Sequence, residues 1–412
     1  MTYAWTGPAG VTFSAASAAA TQVTLPGAGS YTLTLTVSDG SLNGTDTVTV
    51  VVDPAVYPAS DLANDQPNHG WTVATAADVD MDETQLVLAE TYALTGGGSG
   101  MIVRHGRLVR AWGNTEQRFD MKSTTKSIGG IALGLAIDNG SLQLADTAQS
   151  KLATVGNPTA NHPDWLSRVT VQGLATHTAG FAKPGGYVDQ LYEPGTTWSY
   201  SDAGLNWLAE VLTGVLNQDL HIALNTSVWT ALGVNATAGG TQNSDGPSSS
   251  DIHWRDNVLR AGSTSRELAS GIYANANAMA RVGLLFLRKG VWGDARILSE
   301  NFVATVGTPP TANASLSVQD SINFPGAATN YGVLWWTNAT GLIPNVPRDT
   351  YWAWGLGDSL IVVIPSLDIV AVRAGPQQTA ITSGRTWNDS DWNGDYSVLA
   401  PFLQPIVSSA AQ

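Results

Sequence analysis

The sequence contains no cysteine, which excludes disulfide bonds, thiolate metal ligands and a thiol nucleophile. Basic residues are scarce: 19 Lys and Arg stand against 33 Asp and Glu among 412 residues, for a net charge of −14. That sign is wrong for a protein that grips phosphate backbones, so we expect no nucleic-acid partner. No apolar run approaches the roughly 18 to 20 residues of a membrane-spanning helix, so we expect no membrane span.

Histidines are also few. The six in the chain are scattered without the spacing of a zinc site, and no Gly-x-Ser-x-Gly elbow of an α/β-hydrolase occurs. We therefore expect no metal or other cofactor, and chemistry that runs on oxygen and nitrogen groups. Hydrophobic residues make up 43% of the chain, enough to bury a sizeable core in two or three domains of about 150 residues each.

Residues 1–53 contain neither lysine nor arginine. Polar and apolar residues alternate in Tyr31–Val37 and again in Thr45–Val52, and the Gly, Asp and Asn residues between these runs suit a turn, so the pattern predicts a β-hairpin. Together with Tyr3-Ala4-Trp5 and Val37-Ser38-Asp39-Gly40, the segment resembles a PKD-type immunoglobulin-like module. The resemblance implies a small all-β sandwich, common outside cells, that contacts polysaccharide or protein. The strand expected before Tyr3 is missing, which predicts a chain that starts inside a domain.

The composition then changes. Residues 54–70 are rich in Pro, Asn, Asp and Ala without periodicity, so we expect a linker to a second domain over 71–412. In that domain, short β-branched and aromatic runs between 331 and 373 are typical of strands. Three segments have helical patterns: Lys126–Asn139, Ala203–Val215 and Ala276–Leu287. The second domain is therefore expected to mix helices and strands.

One of only five lysines, Lys126, follows Ser123 by three positions. On a helix this spacing puts both side chains on one face, a turn apart. The following stretch, Ile128–Ile137, is apolar nearly all round, which predicts a buried helix. The positive helix end and the loss of water both favour a neutral Lys126 amine, which can take the Ser123 proton. Taken alone, however, the two residues fit a helix cap and a solvated lysine better than a catalytic pair.

Two later motifs change that interpretation. Leu174–Phe181 carries a His-Thr-x-Gly signature, and Trp198–Gly204 carries a tyrosine motif. In this order after Ser123–Lys126, they resemble the serine β-lactamase and penicillin-binding-protein superfamily, chiefly its esterase-like and uncharacterised branches, over about residues 70–405. The resemblance implies an α+β, β-lactamase-like fold, with an antiparallel sheet flanked by helices and a mainly helical subdomain.

The resemblance also implies roles for individual residues: Ser123 as nucleophile, Lys126 as its proton partner and Tyr200 as the second-motif tyrosine. A phenol beside an ammonium can share a proton, so it can activate the serine and then protonate the leaving group. The backbone N–H groups of Ser123 and Leu356 would surround the developing oxyanion. We expect His177, in the His-Thr-x-Gly signature, to be architectural.

Two positions depart from the family pattern. Asp202 replaces the usual Asn of the Tyr-x-Asn motif; it either caps the helix from Ala203 or faces the site, where it would contact substrate or hold Lys126 charged and leave more base work to Tyr200. At the third motif, Ala353 stands where Lys or His is usual. That cation helps to hold a substrate carboxylate in the family, so its loss implies neutral acyl substrates.

The third-motif region adds two candidate substrate-binding residues: Trp354 as a wall of the cleft, and Gly355, which permits close approach. An aromatic-lined cleft would suit an apolar or aromatic ester. We therefore predict a secreted bacterial serine hydrolase, extracellular or periplasmic, that forms an acyl-enzyme and hydrolyses carboxylic esters with water. Two alternatives stay open: a D-amino-acid peptidase, amidase or β-lactamase on the same fold, and a catalytically silent binding protein.

Overall fold

The computed structural model describes residues 1–156, 162–181, 183, 186–240, 246–247, 250–257, 265–375 and 396–410. The chain forms two compact units, Met1–Val56 and Tyr57–Gln412.

The first unit is built from antiparallel strands. Its described strands are β1 (Thr2–Thr6), β2 (Thr12–Phe13), β3 (Val23–Thr24), β4 (Gly29–Ser38) and β5 (Asn43–Val52). Strand β4 pairs with β1 on one side and with β5 on the other, and β2 pairs with β3. In the β4–β5 turn, the Asp39 carboxylate accepts hydrogen bonds of 2.8 Å from the N–H groups of Ser41 and Leu42. The hairpin predicted from the alternating pattern is confirmed.

The second unit contains the remaining elements. Its described strands are β6 (Ser99–Arg104), β7 (Arg107–Trp112), β8 (Gln117–Asp120), β9 (Thr197–Trp198), β10 (Ala236–Ala238), β11 (Gly246–Pro247), β12 (Ile252–Trp254), β13 (Ile272–Ala274), β14 (Val291–Trp292), β15 (Ala295–Arg296), β16 (Ser317–Val318), β17 (Trp336–Thr337), β18 (Tyr351–Gly355), β19 (Ser359–Ile364) and β20 (Ile369–Ala374). Its described α-helices are α1 (Glu83–Leu94), α2 (Thr124–Gly129), α3 (Ile131–Asp138), α4 (Ala148–Lys151), α5 (Pro163–Leu166), α6 (Val171–Ala175), α7 (Asp202–Leu216), α8 (Leu220–Leu224), α9 (Thr230–Leu232), α10 (Ala276–Leu287), α11 (Glu300–Val306), α12 (Ala327–Asn330) and α13 (Ala400–Ser409).

Residues 57–70, for which the composition predicts a linker, lie within this second unit. Asp61 is 1% exposed. The guanidinium of Arg281, in α10, donates hydrogen bonds to the carbonyls of Ala59 (2.8 Å) and His69. A buried cation therefore ties this segment to the rest of the second unit.

The main sheet has the strand order β17-β18-β19-β20-β6-β7 among the described residues, and all of its pairs are antiparallel. Side chains along β19 and β20 alternate between two hydrophobic clusters, so both faces of the sheet are buried. This explains the near-continuous apolar sequence of these strands. Helix α10 packs on one face, where a Cβ on Gly283 would lie 2.5 Å from Val370, and helices α1 and α13 contribute to the cluster on the other. Helices on both faces of an antiparallel sheet make the α+β architecture that the resemblance implies.

A buried helical segment begins just after Ser123, as the sequence predicts. It is divided at Gly130 into α2 and α3. A Cβ on Gly130 would lie 2.6 Å from the Lys126 carbonyl oxygen and 2.4 Å from the Leu334 side chain, so this position has no room for a larger residue. A second described sheet, of order β10-β12-β13-β8-β11, leads into this segment through β8. The start of α2 therefore lies between the two sheets, beside the end of β18.

Candidate active site

The turn before α2 presents the Ser123 side chain. Lys122 has φ of 46°, a left-handed conformation that costs a lysine about 1 kcal/mol. Neighbouring groups hold the turn: the Met121 N–H donates to the Ile272 carbonyl at 2.9 Å, and the Lys122 N–H donates to Asp120 Oδ1 at 3.0 Å. These bonds place Ser123 at the mouth of the buried helix.

Lys126 lies one turn further along α2 and is 1% exposed. Its Nζ donates three hydrogen bonds, to Ser123 Oγ at 3.0 Å, to Asp202 Oδ1 at 2.6 Å and to the Ala269 carbonyl oxygen at 2.8 Å. Every N–H of the ammonium therefore has an acceptor, one of them a carboxylate, as a buried charge requires.

Tyr200 lies between β9 and α7 and is 5% exposed. Its ring centroid is 4.9 Å from Lys126 Nζ, and Tyr200 lines the same pocket as Ser123. The ring stacks on Phe324, with centroids 5.0 Å apart and planes 7° from parallel. Burial raises the pKa of the Tyr200 phenol, and the Asp202 charge raises it further. The phenol is therefore a proton donor at neutral pH.

Asp202 is the first residue of α7, and the structure separates its two expected roles. The helix cap is Ser201, whose Oγ accepts a hydrogen bond from the Gly204 N–H at 2.9 Å. The Asp202 carboxylate turns instead toward Lys126. Its position in the first turn, near the positive end of α7, also suits a negative charge.

His177 is buried beneath this group. Its Nδ1 accepts a hydrogen bond from the Ser201 N–H at 3.1 Å, so the neutral ring carries its proton on Nε2, which faces Tyr331 Oη at 3.2 Å. Burial, and secondarily the Lys126 charge, hold the pKa of His177 well below its usual range. A neutral imidazole therefore supports the segment that carries Tyr200.

The end of β18 forms the other side of the site. A Cβ added to Gly355 would point at the turn before α2. Thr124 Oγ1 donates a hydrogen bond to the Ser359 carbonyl at 2.6 Å. Within the part of the chain that the structure describes, neither the Ser123 N–H nor the Leu356 N–H donates to an acceptor. Two backbone donors are thus available where an oxyanion hole is expected.

Trp354 does not form a cleft wall. Successive side chains on a strand point to opposite faces, so with Gly355 directed at α2, Trp354 is directed away from it. Its Nε1 donates to Asp358 Oδ1 at 2.7 Å, and its ring, 4% exposed, packs against Trp336 and Tyr396 in the core. The expected role of Trp354 in the cleft is therefore wrong because the pleat of β18 turns the indole to the other side.

The site opens into a pocket of about 210 Å³. The pocket brings together four predicted residues, Ser123, Tyr200, Asp202 and Leu356, with four that sequence reasoning missed: Lys122, Lys183, Ser270 and Phe324. The missed residues belong to no motif and come from four separate segments, so no local pattern marks them. Lys122 and Lys183 line the pocket, and Lys126 contacts Ser123 at its mouth, so three of the chain's five lysines lie at the site. The sequence predicts no cation from the third motif, where Ala353 stands.

Among the described residues, no group of three or more His, Asp or Glu side chains is arranged to hold a metal ion. In the same part of the chain, no helix has the length and hydropathy needed to cross a bilayer.

Comparison with protein families gives two matches. The Beta-lactamase family model matches residues 88–392, and a PKD domain model matches residues 1–52.

Solved structures show similar folds. A protein described as a beta-lactamase from Bacteroides dorei superposes with a TM-score of 0.61 at 14% identity, covering 81% of this chain and 100% of its own. A protein described as a 6-aminohexanoate-dimer hydrolase from Bacillus anthracis gives 0.57 at 16% identity, covering 82% and 87%. EstCE1, described as a hydrolase with promiscuous acyltransferase activity, gives 0.54 at 17% identity, covering 78% and 98%. At these identities the likeness shows the fold.

Proposed function

The chain belongs to the Beta-lactamase family, with an N-terminal PKD-like domain, and from this membership we propose that it is a secreted serine hydrolase that forms an acyl-enzyme through Ser123. One observation carries the proposal: Ser123 Oγ lies 3.0 Å from Lys126 Nζ, at the mouth of a pocket that Tyr200 also lines. A nucleophile within reach of a proton partner and a proton donor is the arrangement that acyl transfer needs.

In the first half-reaction, Ser123 Oγ forms a bond to the acyl carbon and its proton passes to Lys126 Nζ, which accepts it as a neutral amine. The carbonyl oxygen takes up negative charge between the N–H groups of Ser123 and Leu356. When the intermediate collapses, the bond to the leaving oxygen breaks, and the Tyr200 phenol, whose raised pKa keeps it protonated, gives that oxygen a proton. The alcohol departs and an ester of Ser123 remains.

In the second half-reaction, water repeats the sequence. Water attacks the acyl carbon, the same groups take its proton, and the Ser123–acyl bond breaks as Ser123 Oγ is reprotonated. The overall reaction converts an ester and water into a carboxylic acid and an alcohol.

We propose neutral carboxylic esters, aromatic ones included, as the preferred substrates. The third-motif position holds Ala353, which offers no charge to a substrate carboxylate. The rings of Phe324 and Tyr200 give the pocket an apolar wall, which suits an aryl group. EstCE1, a structure of similar fold, is described as a hydrolase with acyltransferase activity.

A specific observation favours a second candidate, hydrolysis of amides, D-amino-acid peptides or β-lactams that carry a carboxylate. Lys122 and Lys183 both line the pocket, although the Lys122 ammonium is paired with Asp120 at 2.5 Å. Lys183 could supply the charge that position 353 lacks. The Bacillus anthracis protein of similar fold is described as a 6-aminohexanoate-dimer hydrolase.

Two experiments test these proposals. We expect hydrolysis of p-nitrophenyl esters and labelling of Ser123 by a fluorophosphonate probe, both abolished in Ser123→Ala. Ser127→Ala is the matched control, because the Ser127 hydroxyl bonds the Leu334 carbonyl and not the pocket. Retained activity in Ser123→Ala would reject the nucleophile. Failure of folded wild-type protein to label would favour a catalytically silent binding protein.

A substrate panel then separates the two candidates. Aliphatic esters, aryl esters, D-amino-acid amides and nitrocefin should be compared by kcat/KM. We expect aryl esters to be the best substrates. Amide or nitrocefin turnover equal to ester turnover would replace the ester proposal with the second candidate.

We also propose that the protein works outside the cytoplasm, in the periplasm or the medium of a bacterium, because it couples a PKD-like domain to a hydrolase of this family. The PKD-like domain is proposed to contact polysaccharide or protein. Fractionation of the source cells, followed by binding of residues 1–56 and of the full chain to insoluble polysaccharides, tests both statements.

A further inference from the structure

The ion pair between Lys126 and Asp202 bears on which group takes the proton of Ser123. The Lys126 side chain is 2% exposed and that of Asp202 is 24% exposed, with Oδ1 only 2.6 Å from Nζ. Nζ donates all three of its N–H groups, one of them to this carboxylate. An ammonium has no lone pair, so it cannot take the Ser123 proton until it has lost one of its own.

The three acceptors around Nζ differ in what they can do with a proton. Ser123 Oγ is the nucleophile itself, and the Ala269 oxygen belongs to an amide carbonyl, which is not basic in water. The third acceptor is the Asp202 carboxylate, which binds a proton reversibly. Tyr200 offers no alternative, because its raised pKa keeps the phenol protonated.

We propose that Asp202 acts through Lys126 as the last member of a Ser123–Lys126–Asp202 proton relay; this inference rests on the proposed acyl transfer at Ser123. As Ser123 Oγ forms its bond to the acyl carbon, its proton moves to Lys126 Nζ and one proton of Nζ moves to Asp202 Oδ1. The carbonyl π electrons become the oxyanion lone pair. When the leaving group departs, Tyr200 protonates it, Lys126 reprotonates Tyr200, and the proton held by Asp202 returns to Lys126. No proton is gained or lost over the half-reaction.

Charged and titratable groups around the relay are compatible with this sequence. His177 and Tyr331 below it stay neutral, because burial lowers the pKa of the first and raises that of the second. Glu267 is near enough to Lys126 for their charges to interact; burial opposes its charge, but hydrogen bonds from Arg255 and Ser270 leave its pKa lowered, and they hold its carboxylate. Lys122 and Lys183 line the same pocket as Asp202, and the Lys122 ammonium is paired with Asp120.

The test is the pH profile of kcat/KM for Asp202→Asn. The amide keeps an oxygen that accepts from Lys126 Nζ, but it cannot take a proton. We expect the variant to lose about tenfold or more near neutral pH, because no group remains to take a proton from Lys126, and to regain rate as the pH rises, because hydroxide can then take that proton in place of Asp202. Asp202→Glu, which keeps a carboxylate, should keep the wild-type profile at a lower rate.

Fluorophosphonate labelling separates this inference from the proposed function. If wild-type Ser123 is not labelled, the proposed function fails and the relay fails with it. If Ser123 is labelled and folded Asp202→Asn has the wild-type profile, the relay alone is overturned and Asp202 is structural. Should Asp202→Asn not fold, Asp202→Ser, whose hydroxyl takes up no proton near neutral pH, replaces it: rate that is lost near neutral pH and regained as the pH rises supports the relay, and the wild-type profile overturns it.

Discussion

A Cβ atom on Gly355 would lie 2.0 Å from the carbonyl oxygen of Met121. The same atom would lie 3.0 Å from the Thr124 nitrogen, so the end of β18 touches the turn that holds the proposed nucleophile. Strand and turn can approach this closely only where no side chain intervenes. The distance between the N–H groups of Ser123 and Leu356 depends on that contact.

We therefore expect Gly355→Ala to lose about a hundredfold or more in kcat, because the strand must move away and one oxyanion donor moves with it. Gly214→Ala is the control, since the position in α7 has open space around it. Ester hydrolysis and thermal unfolding of both variants check this. A Gly355→Ala protein with wild-type kcat would show that the contact does not position the donors.

Tyr200→Phe isolates the phenol. The ring keeps its stacking on Phe324, so we expect little change in stability, but kcat for esters should fall by about a hundredfold or more because the proton donor is lost. Tyr396→Phe is the matched control: its hydroxyl is buried without a hydrogen-bond partner among the described residues, and its loss should leave kcat unchanged. Equal kcat values for the two variants would remove Tyr200 from the proposed mechanism.

His177 should make stability depend on pH. Burial, with the Lys126 charge, lowers the folded-state pKa of this base well below 6.5, so below pH 6.5 the unfolded chain binds a proton that the folded chain refuses. The free energy of unfolding should therefore decrease as the pH is lowered below 6.5. The slope from this one group is up to about 1.4 kcal/mol per pH unit.

The measurement is urea unfolding between pH 5 and 7. His177→Asn, which tolerates the φ of 61° at this position, should lower stability at pH 7 but show a slope smaller by that amount. His162→Asn alters an exposed ring and should keep the wild-type slope. Identical slopes in all three proteins would contradict the assignment.

Arg373 positions the turn that carries Leu356. Its guanidinium, buried between strands, donates to the carbonyls of Gly357 (2.8 Å) and Asp358 (3.0 Å). Burial lowers its pKa to about 9, so it is still charged at pH 7. Arg373→Met leaves these carbonyls without that donor and should cost about 3 kcal/mol of unfolding free energy, together with part of kcat. Arg296→Met, at an exposed arginine, should change stability by less than about 0.5 kcal/mol in the same denaturant titration.

Phe324 should decide how well aromatic substrates bind. Phe324→Leu removes the flat wall beside Tyr200, so we expect KM for aryl esters to rise about five- to tenfold, with a smaller change for acetate esters. Ile322→Ala, two residues away and 80% exposed, should leave both KM values unchanged. A uniform effect on aryl and acetate esters would show that Phe324 serves the fold and not the substrate.

Much of the local structure could be predicted from the sequence because its causes are local. The apolar run after Ser123 forms a buried helix. Because Lys126 follows Ser123 by three positions, its side chain lies one turn from that of Ser123. Alternating residues in 29–52 make the first hairpin. Strands β19 and β20 appear as apolar runs because both of their faces are covered.

Other features were decided only when distant segments met. The sequence allows Asp202 to cap a helix or to face the site, and the choice followed from Ser201 taking the cap while Lys126 approached from 76 residues away. The direction of the Trp354 indole depended on which face of β18 met α2. Phe324, Lys183 and the Ala269 carbonyl entered the site through loops that share no pattern with its motifs. Local sequence determines helices, turns and spacing because those forces act between near neighbours, whereas the lining and charge balance of the pocket depend on which remote side chains the packing of the core brings together.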